Sequence, residues 1–209
     1  MIKAIVCDDH PIFREGLKKI IGQSRDITVA EEVSDGASLI EKLHGRRFDV
    51  IILDISLPGV NGLDILKDLR TTGKPTPVLI LSMHPEEQYA VRSLRAGASG
   101  YVAKASVPDE LLAAIRKVAA GRKYVSPSLA EQLASELDGS TEKPPHERLS
   151  DREFQIMRMI ASGRKVKEIA ADLCLSPATI GTYRARILSK LSLQSNAELI
   201  HYTIENRLL

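Results

Sequence analysis

The stretch FDVIILDISL, residues 48–57, decides the fold of this chain. It is an almost unbroken apolar run in which an aspartate, Asp54, follows directly on four apolar residues. An apolar run of this length, rich in β-branched residues, is typical of a strand that is covered on both faces. Strands of that kind belong to parallel sheets with helices on either side, so the stretch predicts an α/β protein.

Short apolar runs and segments with helical periodicity alternate on both sides of this stretch. The further predicted strands are residues 2–7, 27–33, 77–82 and 99–104, and the predicted helices are residues 11–22, 34–45, 61–70, 85–97 and 108–121. Five strands that alternate with five helices predict a (βα)5 doubly wound parallel sheet over residues 1–121.

The next segment separates this domain from the rest of the chain. Residues 126–137 form one more amphipathic helical pattern, and DGSTEKPPHER, residues 138–148, contains no apolar residue. Its glycine, serine, prolines and charges are typical of a linker, extended at Pro144 and Pro145. We therefore expect a helix and an interdomain linker over residues 122–148.

From Leu149 onward the pattern is purely helical. Helical segments are predicted at residues 150–163, 165–173, 177–191 and 195–209. Ser176 followed by a proline is a typical helix start, and the two central helices are separated by a very short turn. This arrangement predicts an all-α helix-turn-helix domain over residues 149–209.

Composition and charge narrow the function classes. The chain has 209 residues, 44% hydrophobic and 27% charged, which suits a globular protein with two small domains. It shows neither an apolar run of the ~18 residues that a membrane span requires nor an export signal, so we expect no membrane partner and a cytoplasmic location. Cys7 and Cys174 are expected to be reduced, buried thiols. Residues 149–209 hold nine Lys/Arg and six Asp/Glu, which favours a nucleic-acid surface there.

Polar side chains stand at the carboxyl ends of the predicted strands. Asp8 and Asp9 follow the first strand, Asp54 the third, Ser82 ends the fourth and Lys104 the fifth. In an open parallel sheet these ends share one edge, where sites form. Clustered carboxylates repel one another, and Mg²⁺, which prefers oxygen ligands, relieves that repulsion. A single aspartate at a strand end is often only a cap or turn residue, but the combination predicts a magnesium site.

The N-terminal domain resembles the receiver domain of bacterial two-component response regulators. The resemblance spans residues 1–121 and rests on four motifs, which are DDHP (8–11), DISLPGVNGLDIL (54–66), LSMH (81–84) and AGASGYVAKAS (96–106). It implies that Asp54 is the phosphoacceptor, a carboxylate nucleophile that takes a phosphoryl group from a sensor histidine kinase. It also implies that Asp9, Asp8 partly through water, Asp54 and the backbone carbonyl of Ser56 hold Mg²⁺.

Three further roles follow from the same resemblance. Lys104 pairs with a phosphoryl oxygen, Ser82 moves to hydrogen-bond the phosphoryl group, and Tyr101 follows as a switch by turning inward. The family commonly has a cis-proline after the lysine, whereas this chain has Ala105, so the sequence leaves the state of that bond open. His10 and His84 are interpreted as ordinary loop residues.

The C-terminal domain resembles the DNA-binding domain of LuxR, NarL and FixJ regulators. The motifs are LSDRE (149–153), GRKVKEIA (163–170) and TIGTYR (179–184), and with the receiver they make the chain similar to a NarL/FixJ-type response regulator. Helical spacing places Ile180, Ile187, Leu188 and Leu191 on the inward side of the recognition helix. The predicted DNA contacts are Lys167, Thr179, Thr182, Tyr183, Arg184, Arg186 and Lys190.

The recognition helix departs from its family at one position. Gly181 stands where many members carry lysine, and a mid-helix glycine costs ~1 kcal/mol. We expect the backbone to approach DNA closely there, with Thr182 and Arg186 contacting bases and Thr179, Tyr183 and Lys167 contacting phosphates.

These features predict a transcription regulator, not an enzyme, that is switched by phosphorylation of Asp54. The implied partners are a histidine kinase, promoter DNA, a second copy of the chain and RNA polymerase; a dimer would place two recognition helices ~34 Å apart. One alternative is an aspartate-nucleophile phosphatase, but such enzymes carry a second aspartate where this chain has Ser56. Another is a phosphorylation-independent DNA-binding protein with a vestigial receiver.

Overall fold

The structure is a computed structural model that describes residues 1–71, 76–106, 108–137 and 144–209. The chain divides into two compact units, Met1–Asp138 and Gly139–Leu209. Most of the predicted linker, residues 138–143, lies outside the described residues. None of the described helices is long and apolar enough to cross a membrane.

The first unit is a five-stranded parallel sheet with helices, as the sequence predicts. Its elements are β1 (Ile2–Cys7), α1 (Pro11–Gly22), β2 (Ile27–Val33), α2 (Gly36–Gly45), β3 (Val50–Leu53), α3 (Gly62–Thr71), β4 (Val78–Ser82), α4 (Glu86–Arg95), β5 (Gly100–Ala103), α5 (Pro108–Ala119) and α6 (Pro127–Leu137). The strand order is β2-β1-β3-β4-β5, and every pairing is parallel. The α/β prediction is confirmed.

The burial of β3 reflects its position in the middle of the sheet. All four residues of β3 are buried, and Val50 and Ile52 pack in one cluster with Leu17 of α1 and Ile115 of α5. Each fully buried side chain of this kind contributes about 1.5–3 kcal/mol. The strand is shorter than the apolar run 48–57, because the chain leaves the sheet at Asp54 while later apolar residues of the run stay buried in the following loop.

The segment after α5 closes the edge of the sheet. Gly121, with φ of 75°, follows the helix, and Tyr124 then pairs in parallel with Gly100 of β5. The chain continues into α6, which packs against α4 and buries Leu129. The helix predicted together with the linker therefore belongs to the first unit.

The second unit is entirely helical. It begins with a 3-10 turn (Pro145–Arg148) and continues with α7 (Asp151–Ala161), α8 (Val166–Asp172), α9 (Pro177–Leu191) and α10 (Asn196–Glu205). Ser150, Ser176 and Ser195 cap α7, α9 and α10, each accepting a backbone N–H three residues on. These caps fix where the helices begin.

Two local predictions about this unit are wrong. Pro144 is extended, but Pro145 begins the 3-10 turn, which is held by hydrogen bonds from His146 to the Tyr202 hydroxyl. Cys174 is exposed rather than buried, because it lies in the short turn between α8 and α9 and not on the inner side of a helix. Cys7 is buried as expected.

Candidate functional site

The carboxyl ends of β1, β3 and β5 bring two carboxylates and one ammonium group together. Lys104 Nζ lies 2.6 Å from Asp8 Oδ2 and 2.7 Å from Asp54 Oδ2, and none of the three side chains is more than 3% exposed. The lysine also stands 4.3 Å from the centre of the Phe13 ring, and its backbone N–H donates to the Ser82 carbonyl. The strand order thus brings these predicted site residues together.

Backbone contacts hold Asp54 in this position. Its N–H donates to the Cys7 carbonyl at 2.9 Å, and its Oδ1 accepts the Ser56 N–H at 3.1 Å. Gly62 closes the loop through its N–H, which donates to the Ile55 carbonyl at 2.9 Å. A Cβ at Gly62 would overlap the Asp54 carbonyl oxygen, so only glycine fits there. This role of Gly62 was not predicted from the sequence, because it depends on how closely α3 approaches the loop after β3.

Burial controls the ionisation of the pocket. It raises the pKa of Asp54, and this effect outweighs the opposing influence of Lys104 and of the Ser56 N–H, while the Asp8 charge adds to it. Burial and neighbouring carboxylates raise the pKa of Cys7 to about 12, so its thiol stays protonated at neutral pH. The ionised form of Asp54 therefore gains from additional positive charge.

The donor set fits a hard divalent cation. Asp8, Asp9, His10 and Asp54 offer ligand atoms that all lie within 4.8 Å of one another. Asp9 Oδ1 is buried and makes no hydrogen bond, although His10 Nδ1 lies 2.8 Å away. Three carboxylates against one lysine leave formal negative charge, and an orphaned carboxylate oxygen suits a metal with oxygen ligands.

Beside the pocket, His84 contacts the side chains of four residues. Its backbone N–H donates to Ser82 Oγ at 3.2 Å, and its carbonyl accepts the Tyr101 hydroxyl at 2.7 Å. Its Nε2 lies 3.2 Å from Ser56 Oγ, and its ring stacks on Tyr89. Nothing near His84 in the sequence signals this, because these contacts arise from the packing of separate elements. Tyr101 is buried, in an inward position.

The bond that the sequence left open is trans. No peptide bond among the described residues is cis, and this includes the bond between Lys104 and Ala105. The lysine still reaches both carboxylates from this backbone.

The second unit presents the predicted recognition helix, α9. Ile180, Ile187, Leu188 and Leu191 are its buried residues, as the spacing predicts. The predicted contact residues Thr182, Arg186 and Lys190 are exposed, as is Lys167 on α8, while Thr179, Tyr183 and Arg184 are half-buried.

Four of the predicted DNA contacts already have partners for their side chains. Thr179 Oγ1 lies 2.8 Å from Ser176 Oγ, and Thr182 Oγ1 donates to the Ala178 carbonyl at 3.2 Å. Lys190 Nζ lies 2.7 Å from Glu153 Oε2, and Arg184 Nε donates to Asn196 Oδ1 at 2.6 Å. Gly181 is exposed, and an added Cβ would meet nothing within 4 Å. No contact in the described part of this unit, residues 144–209, therefore requires glycine at position 181.

Comparison with known families identifies both units. Residues 4–116 match the response regulator receiver domain, and residues 147–203 match the bacterial regulatory proteins of the luxR family. This chain is a two-component response regulator. It has a receiver domain and a LuxR-type DNA-binding domain, and its family comprises transcription regulators, not enzymes. The phosphatase alternative is thereby excluded.

Relatives resemble this response regulator over almost their whole length. It is 35% identical to the response regulator UvrY of Escherichia coli (strain K12), covering 100% of this chain and 96% of that protein. It is 36% identical to the response regulator GacA of Pseudomonas aeruginosa, covering 95% and 94% of the two chains.

Solved structures of response regulators match it as well. One is RcsB from Salmonella enterica serovar Typhimurium bound to promoter rprA with the phosphomimetic BeF3⁻, at a TM-score of 0.67, 26% identity and coverage of 97% of this chain and 98% of that one. Another is ChrA of a heme-sensing two-component system, at a TM-score of 0.54 and 31% identity, covering 100% and 98%. Receiver domains generally bind Mg²⁺ at an acidic pocket, and the cluster of aspartates here is such a pocket.

Proposed function

We propose that Asp54 accepts a phosphoryl group from a histidine kinase and that this controls DNA binding by the second unit. The observation that carries the proposal is the position of Lys104, which bridges Asp8 and Asp54 at 2.6 and 2.7 Å inside a buried pocket. A nucleophilic carboxylate beside a fixed ammonium group is what phosphoryl transfer to aspartate requires, because such transfer depends on positioning and charge compensation.

The transfer step uses the side chains of the pocket. A carboxylate oxygen of Asp54 attacks the phosphorus of a phosphohistidine and forms an acyl phosphate. The P–N bond breaks, and its electron pair stays on the imidazole nitrogen, which takes up a proton. Lys104 then pairs with a phosphoryl oxygen, and the Ser82 hydroxyl turns to donate to another.

The metal site of the proposal uses oxygen ligands only. Asp9, Asp8 partly through water, Asp54 and the Ser56 carbonyl would hold Mg²⁺, and the orphaned Asp9 Oδ1 supports this assignment. When bound, the ion supplies positive charge to the phosphoryl oxygens.

The response follows from residues next to the pocket. Ser82 and Tyr101 both contact the backbone of His84, so movement of Ser82 changes the loop between β4 and α4.

The domain boundaries 1–121, 122–148 and 149–209 remain predictions. Binding to a second copy of the chain, binding to RNA polymerase and the cytoplasmic location also remain predictions.

DNA contact in the proposal falls on α9 and on Lys167 of α8. Thr182 and Arg186 contact base edges, while Lys167, Thr179 and Tyr183 contact phosphates. Arg184 and Lys190 contact DNA only after they release Asn196 and Glu153, respectively. The open space in front of Gly181 allows the helix backbone to approach the bases.

A binding measurement tests the proposal. The parent, Asp54→Asn and the half-exposed control Asp64→Asn are each treated with acetyl phosphate and Mg²⁺. The probe is a DNA duplex that the phosphate-treated parent has selected from a random pool, and the affinity of each protein for this duplex is measured. The parent and Asp64→Asn should gain affinity equally, and Asp54→Asn should gain none. An equal gain in Asp54→Asn would refute the assignment of Asp54.

A further inference from the structure

The first residue of α4 holds the start of α6. Glu86 Oε2 accepts hydrogen bonds from Ser126 Oγ at 2.6 Å and from Ser128 Oγ at 3.0 Å. Ser126 Oγ also accepts the Leu129 N–H at 3.1 Å, so it caps α6 while it donates to Glu86. A carboxylate at a helix N-terminus is favourable, and a hydrogen bond to a charged acceptor is stronger than a neutral one.

On its N-terminal side, Glu86 is joined to the end of β4 by a short loop. Only residues 83–85 separate the end of β4 from α4. Both backbone polar groups of His84 in this short loop are bound by side chains of the neighbouring strands, the N–H by Ser82 of β4 and the carbonyl by Tyr101 of β5. A loop of three residues has little slack, so a shift of His84 displaces Glu86 as well.

We propose that Glu86 is a positioning residue that couples the phosphoacceptor pocket to α6. The inference rests on the proposed function. When the Ser82 hydroxyl turns towards a phosphoryl oxygen, the bond from the His84 N–H is lost. The loop then moves, and Glu86 withdraws from Ser126 and Ser128. The first turn of α6 loses its anchor on α4, and α6 leads in sequence to the DNA-binding unit.

Hydrogen exchange on the full chain tests this coupling. The probes are the amides of Leu129 and Ala130, whose hydrogen bonds to Ser126 define the first turn of α6. Their exchange is followed in the parent, in Glu86→Gln and in the control Glu41→Gln, which changes an exposed glutamate on α2. Each protein is measured with and without beryllofluoride and Mg²⁺.

The proposal makes a specific prediction for each protein. Glu86→Gln without beryllofluoride should exchange these amides about tenfold faster than the parent, because a charged acceptor is replaced by a neutral one. Beryllofluoride should accelerate the parent and Glu41→Gln similarly and leave Glu86→Gln unchanged. Parent-like exchange in Glu86→Gln, or an equal beryllofluoride effect in it, would overturn the coupling.

Two further readouts keep the outcomes separate. If beryllofluoride changes the exchange of residues 54–62 but not of α6, the coupling fails and the phosphoacceptor proposal stands. If residues 54–62 do not respond in the parent, the proposed function itself fails. If Glu86→Gln exchanges faster throughout the receiver unit, the substitution has destabilised the whole unit. Ser128→Ala is then used instead, because it removes one hydrogen bond to Glu86 and keeps the Ser126 cap of α6. Parent-like α6 exchange in Ser128→Ala would then overturn the proposal.

Discussion

Replacing Lys104 by methionine removes the positive charge that bridges Asp8 and Asp54. Ligand oxygens of these carboxylates lie within 4.8 Å of each other. At an effective dielectric constant of about 20, two unit charges at that distance repel by about 3.5 kcal/mol. Removing one partner of a buried ion pair typically costs about 3–5 kcal/mol, which agrees with this value. We therefore expect Lys104→Met to lose about 3–4 kcal/mol of receiver stability near neutral pH in the absence of Mg²⁺.

The sign of the pH dependence follows from Asp54. Its pKa is already raised by burial, and Lys104 is the main group that opposes this, so the pKa rises further in Lys104→Met. A carboxyl group with a raised pKa in the folded state contributes most stability below its unfolded pKa of about 3.9. This contribution is lost as the pH rises through the folded-state pKa. The deficit of the variant should thus be small at acid pH and grow as the pH rises to neutral.

Calorimetric unfolding of the full chain with a chelator measures the effect on the receiver transition. Lys67→Met is the matched control, because Lys67 is half-exposed, lies 4.0 Å from Asp64, and should contribute less than about 1 kcal/mol. Added Mg²⁺ should restore stability in Lys104→Met. A deficit below about 0.5 kcal/mol at neutral pH, or one that does not change with pH, would refute the electrostatic reasoning.

Three further predictions concern single residues. Gly62→Ala should destabilise the receiver unit by about 1–3 kcal/mol in calorimetry, because its Cβ overlaps the Asp54 carbonyl; unchanged stability would contradict this. Gly181→Ala should stabilise the second unit by about 0.5–1 kcal/mol in thermal unfolding, since its Cβ meets only open space, and a lower melting temperature would contradict it. Burial raises the pKa of Glu153, but hydrogen bonds from Lys190 and Ser150 lower it more, so its stabilisation should be lost as the pH falls below 4.5. Glu153→Gln should flatten this acid dependence in urea unfolding, and an unchanged slope would count against the ion pair.

The sequence predicts the sheet and the central pocket because both follow from short-range patterns. The apolar run before Asp54 identifies a buried strand, and parallel strands end at one edge, so Asp8, Asp54 and Lys104 were expected at that edge; the strand order, with β1 next to β3, then brings them into contact. The inward side of α9 follows in the same way from helical spacing.

The contacts that the sequence did not predict join residues from separate elements. His84 meets Ser56, Glu86 meets Ser126, and Lys190 pairs with Glu153, and none of these follows from spacing within one helix or strand. They depend on the distance and rotation between packed elements, for which one sequence contains no direct signal.

The central claim is that Asp54 is phosphorylated in a magnesium-dependent reaction. Peptide mass spectrometry of the parent after acetyl phosphate treatment, with and without Mg²⁺, measures this directly. The account predicts a phosphoryl group on the peptide that contains Asp54, present with Mg²⁺ and absent with a chelator. A phosphoryl group on another residue, or equal labelling in Asp54→Asn, would contradict it.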